Sequence, residues 1–315
     1  MPPDQSSYPL SRSYLSTTRL IAQHALWQHD LRFLLHPTIT ASLLLDDPSR
    51  SNLNAIASPA EPQPSTSPPI RLHPPELSPR IADLATGTAF WSLSIHDQYP
   101  HARITASDIS LSQAPPRAWL PPGLDVREWD FYTPIPKEWE RQFDVVHIRL
   151  ALLAIKGNDT RTVLESAWEM LKPGGWMQWD ELNPEGASTV VAEGAGVEDE
   201  DVTQFQRMQE LTDFAGLIWV RRLEGAFENA GFQSVGKAMF EGKKSMMSFF
   251  QSMQFLVMEE EGERWEEEAR ERVRRNVERG VHISKKGVAR MVPKVVIWGR
   301  KPLAEGEERM ADNLY

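Results

Sequence analysis

The segment from Arg80 to Trp91, which reads RIADLATGTAFW, decides the fold of this 315-residue chain. Its apolar first half is typical of a buried strand, and the strand runs into a tight turn around Gly87. A helical stretch, Phe90 to Tyr99, follows the turn, and a second strand, Arg103 to Ser107, then ends in Asp108. A strand, a helix and a second strand in this order predict a βαβ unit and therefore a parallel sheet.

Polar residues and a glycine stand where the strands of this unit end. Gly87 lets the backbone approach a ligand closely, because it has no Cβ. Asp108 follows 21 positions later, a spacing that suits an acid accepting hydrogen bonds from ribose hydroxyls. A third strand, Leu124 to Glu128, leads to Asp130 and Phe131, which we expect at the adenine amino group and ring. Since ligands of such sheets bind at the carboxyl ends of the strands, the pattern predicts an adenosine-type cofactor.

The turn departs from the dinucleotide-binding pattern G-x-G-x-x-G, which disfavours NAD. It fits acid-x-G-x-G-x-G instead, with Asp83 as the acid and with Ala85 and Ala89 in place of the outer glycines. A positive φ at either alanine would cost about 1–2 kcal/mol. S-adenosylmethionine has no phosphate and depends less on such a turn, so it is the better candidate.

The remaining segments predict more of the same alternation. Further strands are expected over residues 143–148 and 176–179, from residue 232, and over 294–299. Helices are expected over residues 11–36, 203–230 (with a break near Gly216) and 244–279, with a loop over 185–201 and Asp159 capping the helix before the fifth strand. We divide the chain into an N-terminal helical cap (1–45), a Pro/Ser-rich linker (46–79), a core (80–302) with helical insertions at 203–230 and 244–279, and a polar tail (303–315).

Composition excludes several classes of protein. A formal net charge of −10 argues against nucleic-acid binding. The absence of cysteine excludes disulfides, thiolate metal sites and a cysteine nucleophile, and the eight histidines are scattered, so no metal site is expected. The N-terminal residues lack the apolar stretch of a secretory signal, and no apolar run could span a bilayer. We therefore expect a cytoplasmic protein without membrane contact.

Longer strings carry a resemblance to a known family. IADLATGTAFW (81–91), SDISLSQAPPRAWLPPG (107–123), FDVVHIRLALL (143–153) and LKPGGWMQWDEL (171–182) resemble the fungal class I methyltransferases of secondary metabolism. The group includes the N-methyltransferases of gliotoxin-type clusters and, more distantly, the velvet-associated regulator methyltransferases. LIAQHALWQHDLRFLLHP (20–37) resembles the N-terminal cap of that group.

The resemblance implies a Rossmann-like sheet of seven strands, mostly parallel with the last antiparallel, and S-adenosylmethionine bound at the turn. The usual sequence of this turn in the family is GTGTGIW or ATGTGIW, and this chain has ATGTAFW. We assign the cofactor to the following residues: Asp83, Ala85, Thr86, Gly87, Asp108, Ile109, Asp130, Phe131, His147 and Arg149.

Candidates for chemistry lie where strands four and five end. His147 and Arg149 share one side of strand four by its period of two. His147 is either a general base or a hydrogen-bonded core histidine, and Arg149 pairs either with the cofactor carboxylate or with Asp180. His24 and Glu181 are the other candidate bases. The expected acceptor contacts are Tyr14, Gln23, Trp27 and Asp180, although the aromatic residues among them could instead pack on the core or form a dimer surface.

The expected function is methyl transfer from S-adenosylmethionine to an oxygen or nitrogen of a small molecule, a secondary metabolite. Two alternatives remain open. A methyltransferase-like fold could instead catalyse a rearrangement or cyclisation, which the Ala89-Phe90 departure motivates, or it could serve as a non-catalytic regulator. A homodimer formed through the N-terminal segment is a further expectation.

Overall fold

A computed structural model describes residues 10–43, 78–210, 219–263 and 265–303 of the chain. Nearly all of the predicted linker over 46–79 and of the tail over 303–315 lies outside these ranges, as does the predicted break at Gly216.

Seven strands form the main sheet, and two form a small separate one. The main strands are β1 (Arg80–Leu84), β2 (Arg103–Asp108), β3 (Leu124–Glu128), β4 (Phe143–Arg149), β5 (Leu171–Leu182), β7 (Gln233–Phe240) and β9 (Lys294–Arg300). The small sheet pairs β6 (Ser188–Val191) with β8 (Val288–Met291). The described helices of more than three residues are α1 (Tyr14–Leu31), α2 (Pro37–Ser42), α3 (Phe90–Gln98), α4 (Thr160–Met170), α5 (Asp199–Glu210), α6 (Trp219–Asn229), α7 (Met247–Gly262) and α8 (Glu267–Lys285).

The order of strands in the main sheet is β3-β2-β1-β4-β5-β9-β7. The first five pair in parallel, and β9 runs antiparallel to both of its neighbours. This arrangement confirms the predicted Rossmann-like sheet with its last strand antiparallel. Because β1 lies beside β4, the register places Asp83 next to His147. The order turns back between β1 and β4, which makes the carboxyl ends of these strands the place for a ligand.

Local signals fix several helix boundaries. The Ser13 side chain accepts a hydrogen bond from the Ser16 N–H at 3.2 Å and caps α1. The sequence predicts a helix over 11–36 that Pro37 ends, but α1 already ends at Leu31. Pro37 occupies the first turn of α2, where its missing N–H costs nothing. Asp159 caps α4 as predicted, because its Oδ1 accepts from the Thr162 N–H at 3.2 Å.

The second half of the chain differs from the prediction at several points. The loop expected over 185–201 contains β6 and the first turn of α5, and the strand β8 was not predicted at all. The helix expected over 244–279 is two helices, α7 and α8, of which the second continues to Lys285. Only four residues pair on each of β6 and β8, and such short strands leave little alternation to read.

Two hydrophobic layers cover the main sheet. Phe143, Trp179 and Leu164 belong to a core cluster that α4 and α6 cover. On the opposite face Ile81 and Ile104 pack with α3 and with residues of the N-terminal cap. The described helices include none that is long and apolar enough to cross a membrane.

Candidate functional site

The turn after β1 uses three residues in the left-handed region of backbone space. Ala85 has φ of 52°, Gly87 of 55° and Ala89 of 55°. The Thr86 N–H donates to the carbonyl of Ser107 at 2.9 Å, which ties the turn to the end of β2. Two of the three positions carry a Cβ, so the turn holds strain of about 1–2 kcal/mol at each alanine. Strain of this kind gathers at functional sites.

Asp83 holds this turn from below. It is 2% exposed, and its Oδ2 accepts from the Thr86 hydroxyl at 2.6 Å and from the Ser92 hydroxyl at 2.7 Å. Its Oδ1 lies 2.8 Å from Nδ1 of His147. Each Asp83 oxygen therefore has a protein partner, and these contacts fix the shape of the turn.

Asp108 reaches the same turn from the end of β2. Its Oδ2 accepts from the Gly87 N–H at 2.8 Å, and its Oδ1 from the Ser110 N–H at 3.2 Å. Burial raises the pKa of Asp108, while these two hydrogen bonds act in the opposite direction. The carboxylate is thus placed beside the turn by the backbone, with lone pairs left for a ligand.

A cavity of about 630 Å³ opens at the carboxyl ends of β1, β2, β3 and β4. This volume lies within the range of about 300–1,000 Å³ that is usual for small-molecule sites. All of the residues predicted to bind the cofactor line it, together with His24: Asp83, Ala85, Thr86, Gly87, Asp108, Ile109, Asp130, Phe131, His147 and Arg149.

The two aromatic residues after the turn do not fill this space. The Phe90 ring meets the edge of the His24 ring, with centroids 5.1 Å apart. Trp91 stacks flat on His147 at 3.6 Å. Ala89 is fully buried and is not among the lining residues. The replacement of the family's Gly-Ile by Ala89-Phe90 therefore leaves the cavity open.

The part of the cavity wall that follows β3 combines an acid, a lysine and aromatic rings. Asp130 Oδ1 accepts from the Tyr132 N–H at 2.9 Å, and its Oδ2 lies 3.7 Å from Nζ of Lys156. Phe131 is 8% exposed and contacts the Tyr132 ring at 4.9 Å between centroids. Lys156 lies over the Tyr132 ring at 4.9 Å. One carboxylate oxygen of Asp130 thus accepts from the loop backbone, and the other faces the ammonium group of Lys156.

Polar side chains at the ends of β1, β4 and β5 form a connected row beside the cavity. His147 is fully buried, with Nδ1 2.8 Å from Asp83 Oδ1 and Nε2 3.4 Å from Asp180 Oδ2. Both ring nitrogens therefore face carboxylates. This geometry is that of the hydrogen-bonded core histidine, the structural alternative for His147, and it leaves neither nitrogen for an acceptor.

Arg149 continues the row of polar side chains toward the cavity. Its Nε and NH2 donate to Asp180 Oδ2 at 2.9 and 2.6 Å. Burial of Asp180 opposes ionisation, but the Arg149 charge and the hydrogen bonds of His147 outweigh it and lower the pKa of Asp180. The guanidinium lies 5.4 Å over the Trp27 ring. The structure thus contains the Arg149–Asp180 pair, one of the two pairings that the sequence leaves open.

His24 on α1 meets this network from above. Its Nδ1 lies 3.4 Å from NH1 of Arg149 and its Nε2 lies 3.1 Å from the Ser94 hydroxyl. Since arginine only donates, Nδ1 accepts and the ring proton is on Nε2. Burial, together with the Arg149 charge, lowers the pKa of His24 to about 3. The imidazole is therefore neutral at physiological pH and is held in one tautomer.

The other predicted residues lie away from the cavity. Glu181 is fully buried on the opposite face of β5, where its Oε1 accepts from the Leu182 N–H at 3.0 Å and burial raises its pKa to about 8. Tyr14 is 78% exposed, and Trp27 is 2% exposed beneath Arg149 and Lys294. Gln23 lines a second, smaller pocket. Asp180 does not line the cavity and contacts two residues that do, Arg149 and His147.

Several lining residues were not predicted from the sequence. They are Arg12, Leu20, Thr88, Phe90, Trp91, Gln113, Trp129, Tyr132, Leu150, Ala151, Ala154 and Lys156. Most of them immediately follow β1, β3 or β4, so the rule that ligands bind at the carboxyl ends of strands would have found them. Arg12 and Leu20 come from the cap and carry no such signal. Within the described ranges, no group of three or more His, Asp or Glu side chains is arranged so that it could hold a metal ion.

Comparison with known proteins agrees with this geometry. Residues 81–175 match a family described as "Methyltransferase domain". Methyltransferase grgD of a Penicillium species is 33% identical over 114 residues, which are 34% of this chain and 39% of that protein. The secondary metabolism regulator LAE1 of Hypocrea atroviridis is 33% identical over 109 residues, 34% of this chain and 30% of that protein. N-methyltransferase verN of Clonostachys rogersoniana is 28% identical over 99 residues, 31% of this chain and 34% of that protein.

These findings confirm the predicted resemblance. Residues 81–175 are similar to a methyltransferase domain, and the similar proteins include fungal proteins named as methyltransferases and as a regulator of secondary metabolism. S-adenosylmethionine is the cofactor that such a domain implies. The matches span at most about two fifths of the length of the relatives described above.

Proposed function

We propose that this protein transfers a methyl group from S-adenosylmethionine to an oxygen or nitrogen of a small molecule of secondary metabolism. The observation that supports this most is the cavity, into which the turn at Gly87, Asp108 and Asp130 all open. An acid at the end of β2 and another after β3 are the groups that ribose hydroxyls and an adenine amino group require. One similar fungal protein is named an N-methyltransferase and another a regulator of secondary metabolism, which supports a nitrogen acceptor and a link to secondary metabolism.

The residues present fit this cofactor. At Gly87 an added Cβ would be 3.5 Å from Leu20 and would need a positive φ, so the backbone offers its bare surface to the ligand. Asp108 would accept from the ribose, and Phe131 would lie against the adenine ring. When bound, the cofactor supplies the methyl group as a sulfonium. Arg149 keeps N–H groups beyond those it gives to Asp180, and these could reach a carboxylate.

The protein's contribution to the reaction would be alignment and the exclusion of water. Holding two reactants in line lowers the barrier by several kcal/mol. A base is needed only where the acceptor is a hydroxyl or a protonated amine. His24 is a neutral imidazole at the cavity wall, although its pKa of about 3 makes it a weak base. His147 would act instead by orienting Asp83 and Asp180, between which it lies.

Calorimetric titration of the full chain with S-adenosylhomocysteine tests the proposal. We expect saturable binding in the micromolar range and no binding of NAD. Methyl transfer to a metabolite would then be measured by mass spectrometry as a gain of one methyl group. Absence of cofactor binding, together with turnover of a small molecule, would favour the rearrangement or cyclisation alternative. Absence of both would favour a regulatory protein.

A further inference from the structure

A second, apolar compartment adjoins the cavity. It has a volume of about 100 Å³ and lies between α1, α7 and the segment after β4. Leu152, Leu153, Met253 and Val257 are among the apolar residues that line it. An apolar cavity of about 150 Å³ binds benzene, so this smaller space would hold one small ring only in close contact with its walls, or a short branched chain.

The compartment and the cavity share two walls. Leu20 of α1 and Leu150 at the end of β4 line both of them. Leu150 has a positive φ of 54°, which is unfavourable for a residue with a branched side chain, and its N–H donates to the carbonyl of Asp180 at 3.0 Å. The strained backbone thus places the Leu150 side chain at the junction of the two spaces. A molecule that fills the compartment would therefore border the cavity.

One polar atom in the compartment lacks a partner. Oε1 of Gln254 on α7 is buried, and no donor among the described residues lies within hydrogen-bond distance of it. Neighbouring polar groups are already used, since Arg19 donates to Glu260 at 3.0 Å and to Gln23 Oε1 at 2.8 Å. A buried acceptor without a donor is unfavourable by about 1–3 kcal/mol. A ligand that donates a hydrogen bond would remove this penalty.

We propose that the compartment binds an apolar ring of the methyl acceptor that carries a neutral O–H or N–H, and that Gln254 determines this specificity. The inference rests on the proposed methyl transfer and names the class of acceptor: a neutral, mainly apolar molecule with one donor directed at Gln254. A charged group would lose its hydration among the leucine and methionine side chains, and the ionic residues of the lining, Arg19, Glu261 and Arg290, already have partners.

Phenol and toluene are matched probes, because they have the same shape and differ in the hydroxyl donor. Binding of each to the full chain is measured by ligand-observed NMR. Phenol partitions less readily than toluene from water into an apolar solvent. We expect the ratio of phenol affinity to toluene affinity in the unaltered protein to exceed the ratio that this partition predicts. In Gln254→Met, phenol should bind about fivefold more weakly, with toluene unchanged or tighter. Gln254→Leu is the second variant should the first fail to fold. Gln206→Leu, at an exposed position on α5, is the control.

The outcomes separate this inference from the proposed function. Titration with S-adenosylhomocysteine is performed on the same samples. Cofactor binding without phenol binding overturns the inference alone, and so does a loss of phenol and toluene affinity in equal measure. Phenol binding that depends on Gln254, without cofactor binding, supports the acceptor compartment and overturns the proposed methyl transfer.

Discussion

At the scale of single residues, the floor of the site is a row of polar side chains that satisfy one another. Asp83, His147, Asp180 and Arg149 contact one another in that order, and His147 and Asp180 are fully buried. Removing one member would leave its neighbours as uncompensated buried charges, which costs about 3–5 kcal/mol. These mutual contacts compensate for the burial of four polar residues beside the cavity.

Asp108 is the residue whose role is easiest to test. In Asp108→Ala we expect the affinity for S-adenosylhomocysteine to fall by about 1–3 kcal/mol, because buried ribose hydroxyls would lose their acceptor. Calorimetry measures the change, and Asp125→Ala, at the partly exposed start of β3, serves as the control. Urea unfolding separates a binding effect from loss of the Gly87 hydrogen bond. An unchanged affinity would remove Asp108 from the cofactor site.

The left-handed alanines predict an unusual response to glycine. A buried alanine in ordinary backbone, such as Ala102, should lose about 1–2 kcal/mol on change to glycine, from the lost methyl group and the freer unfolded chain. Ala89→Gly incurs the same losses but relieves about 1–2 kcal/mol of strain at φ of 55°. We expect Ala89→Gly to be nearly neutral in urea unfolding. Equal losses in the two variants would contradict strain at Ala89.

Glu181 should make the stability of the fold depend on pH. Burial raises its pKa from an ordinary 4.5 to about 8. Between these values the unfolded chain has released the proton and the folded chain retains it, so the free energy of unfolding falls as pH rises, by on the order of 1 kcal/mol per pH unit. Glu181→Gln should lose less stability than the unaltered protein between pH 5 and pH 8. Glu185→Gln, at an exposed ion pair, should follow the unaltered protein.

At the scale of elements, the strands of the main sheet were predictable and the small sheet was not. Buried strands such as β4, which has four consecutive buried residues, read as apolar runs between clear stop signals. The strands β6 and β8 acquire their pairing from segments about a hundred residues apart, which local pattern does not reveal. The cavity residues at the ends of β1 and β2 were predictable because these strands, and therefore their ends, can be located from their apolar runs. Arg12 and Leu20 depend on how α1 is placed over the sheet, a tertiary property.

A buried ion pair links α1 and α7. Arg19 is 3% exposed and holds Glu260 through Nε and NH2 at 3.0 and 3.2 Å. Arg19→Met should destabilise the fold by about 3 kcal/mol, because Glu260 would remain mostly buried without its partner. Urea unfolding measures this loss, and hydrogen exchange should show reduced protection in α1. Arg275→Met, which breaks an exposed pair on α8, should change stability by less than about 0.5 kcal/mol. Similar effects of the two variants would contradict a structural role for the Arg19–Glu260 pair.

At the scale of the whole molecule, the N-terminal cap belongs to the main core. Leu34, Leu35 and Ile39 pack in one cluster with Ile81 and Trp91 of the sheet layer. A polar contact also joins the cap to the sheet, since the His36 N–H donates to Gln178 Oε1 of β5 at 2.7 Å. The predicted division of the chain at residue 45 rests on composition. In the structure, residues of the cap and residues of the core after residue 80 pack in one cluster. The segment that follows α1 is therefore anchored in the core on one face of the sheet.

A substitution in the cap should accordingly act on the whole molecule. Leu35 is 2% exposed, and Leu35→Ala should lower the free energy of unfolding by about 2–5 kcal/mol. Leu15→Ala, at a position in the same cap that is 56% exposed, should change it by less than about 0.5 kcal/mol. Urea unfolding followed by tryptophan fluorescence and by far-ultraviolet circular dichroism should give one shared midpoint, shifted only in Leu35→Ala. Two separate transitions, with Leu35→Ala moving only the first, would mean that the cap unfolds on its own and that its core contacts do not couple it to the sheet.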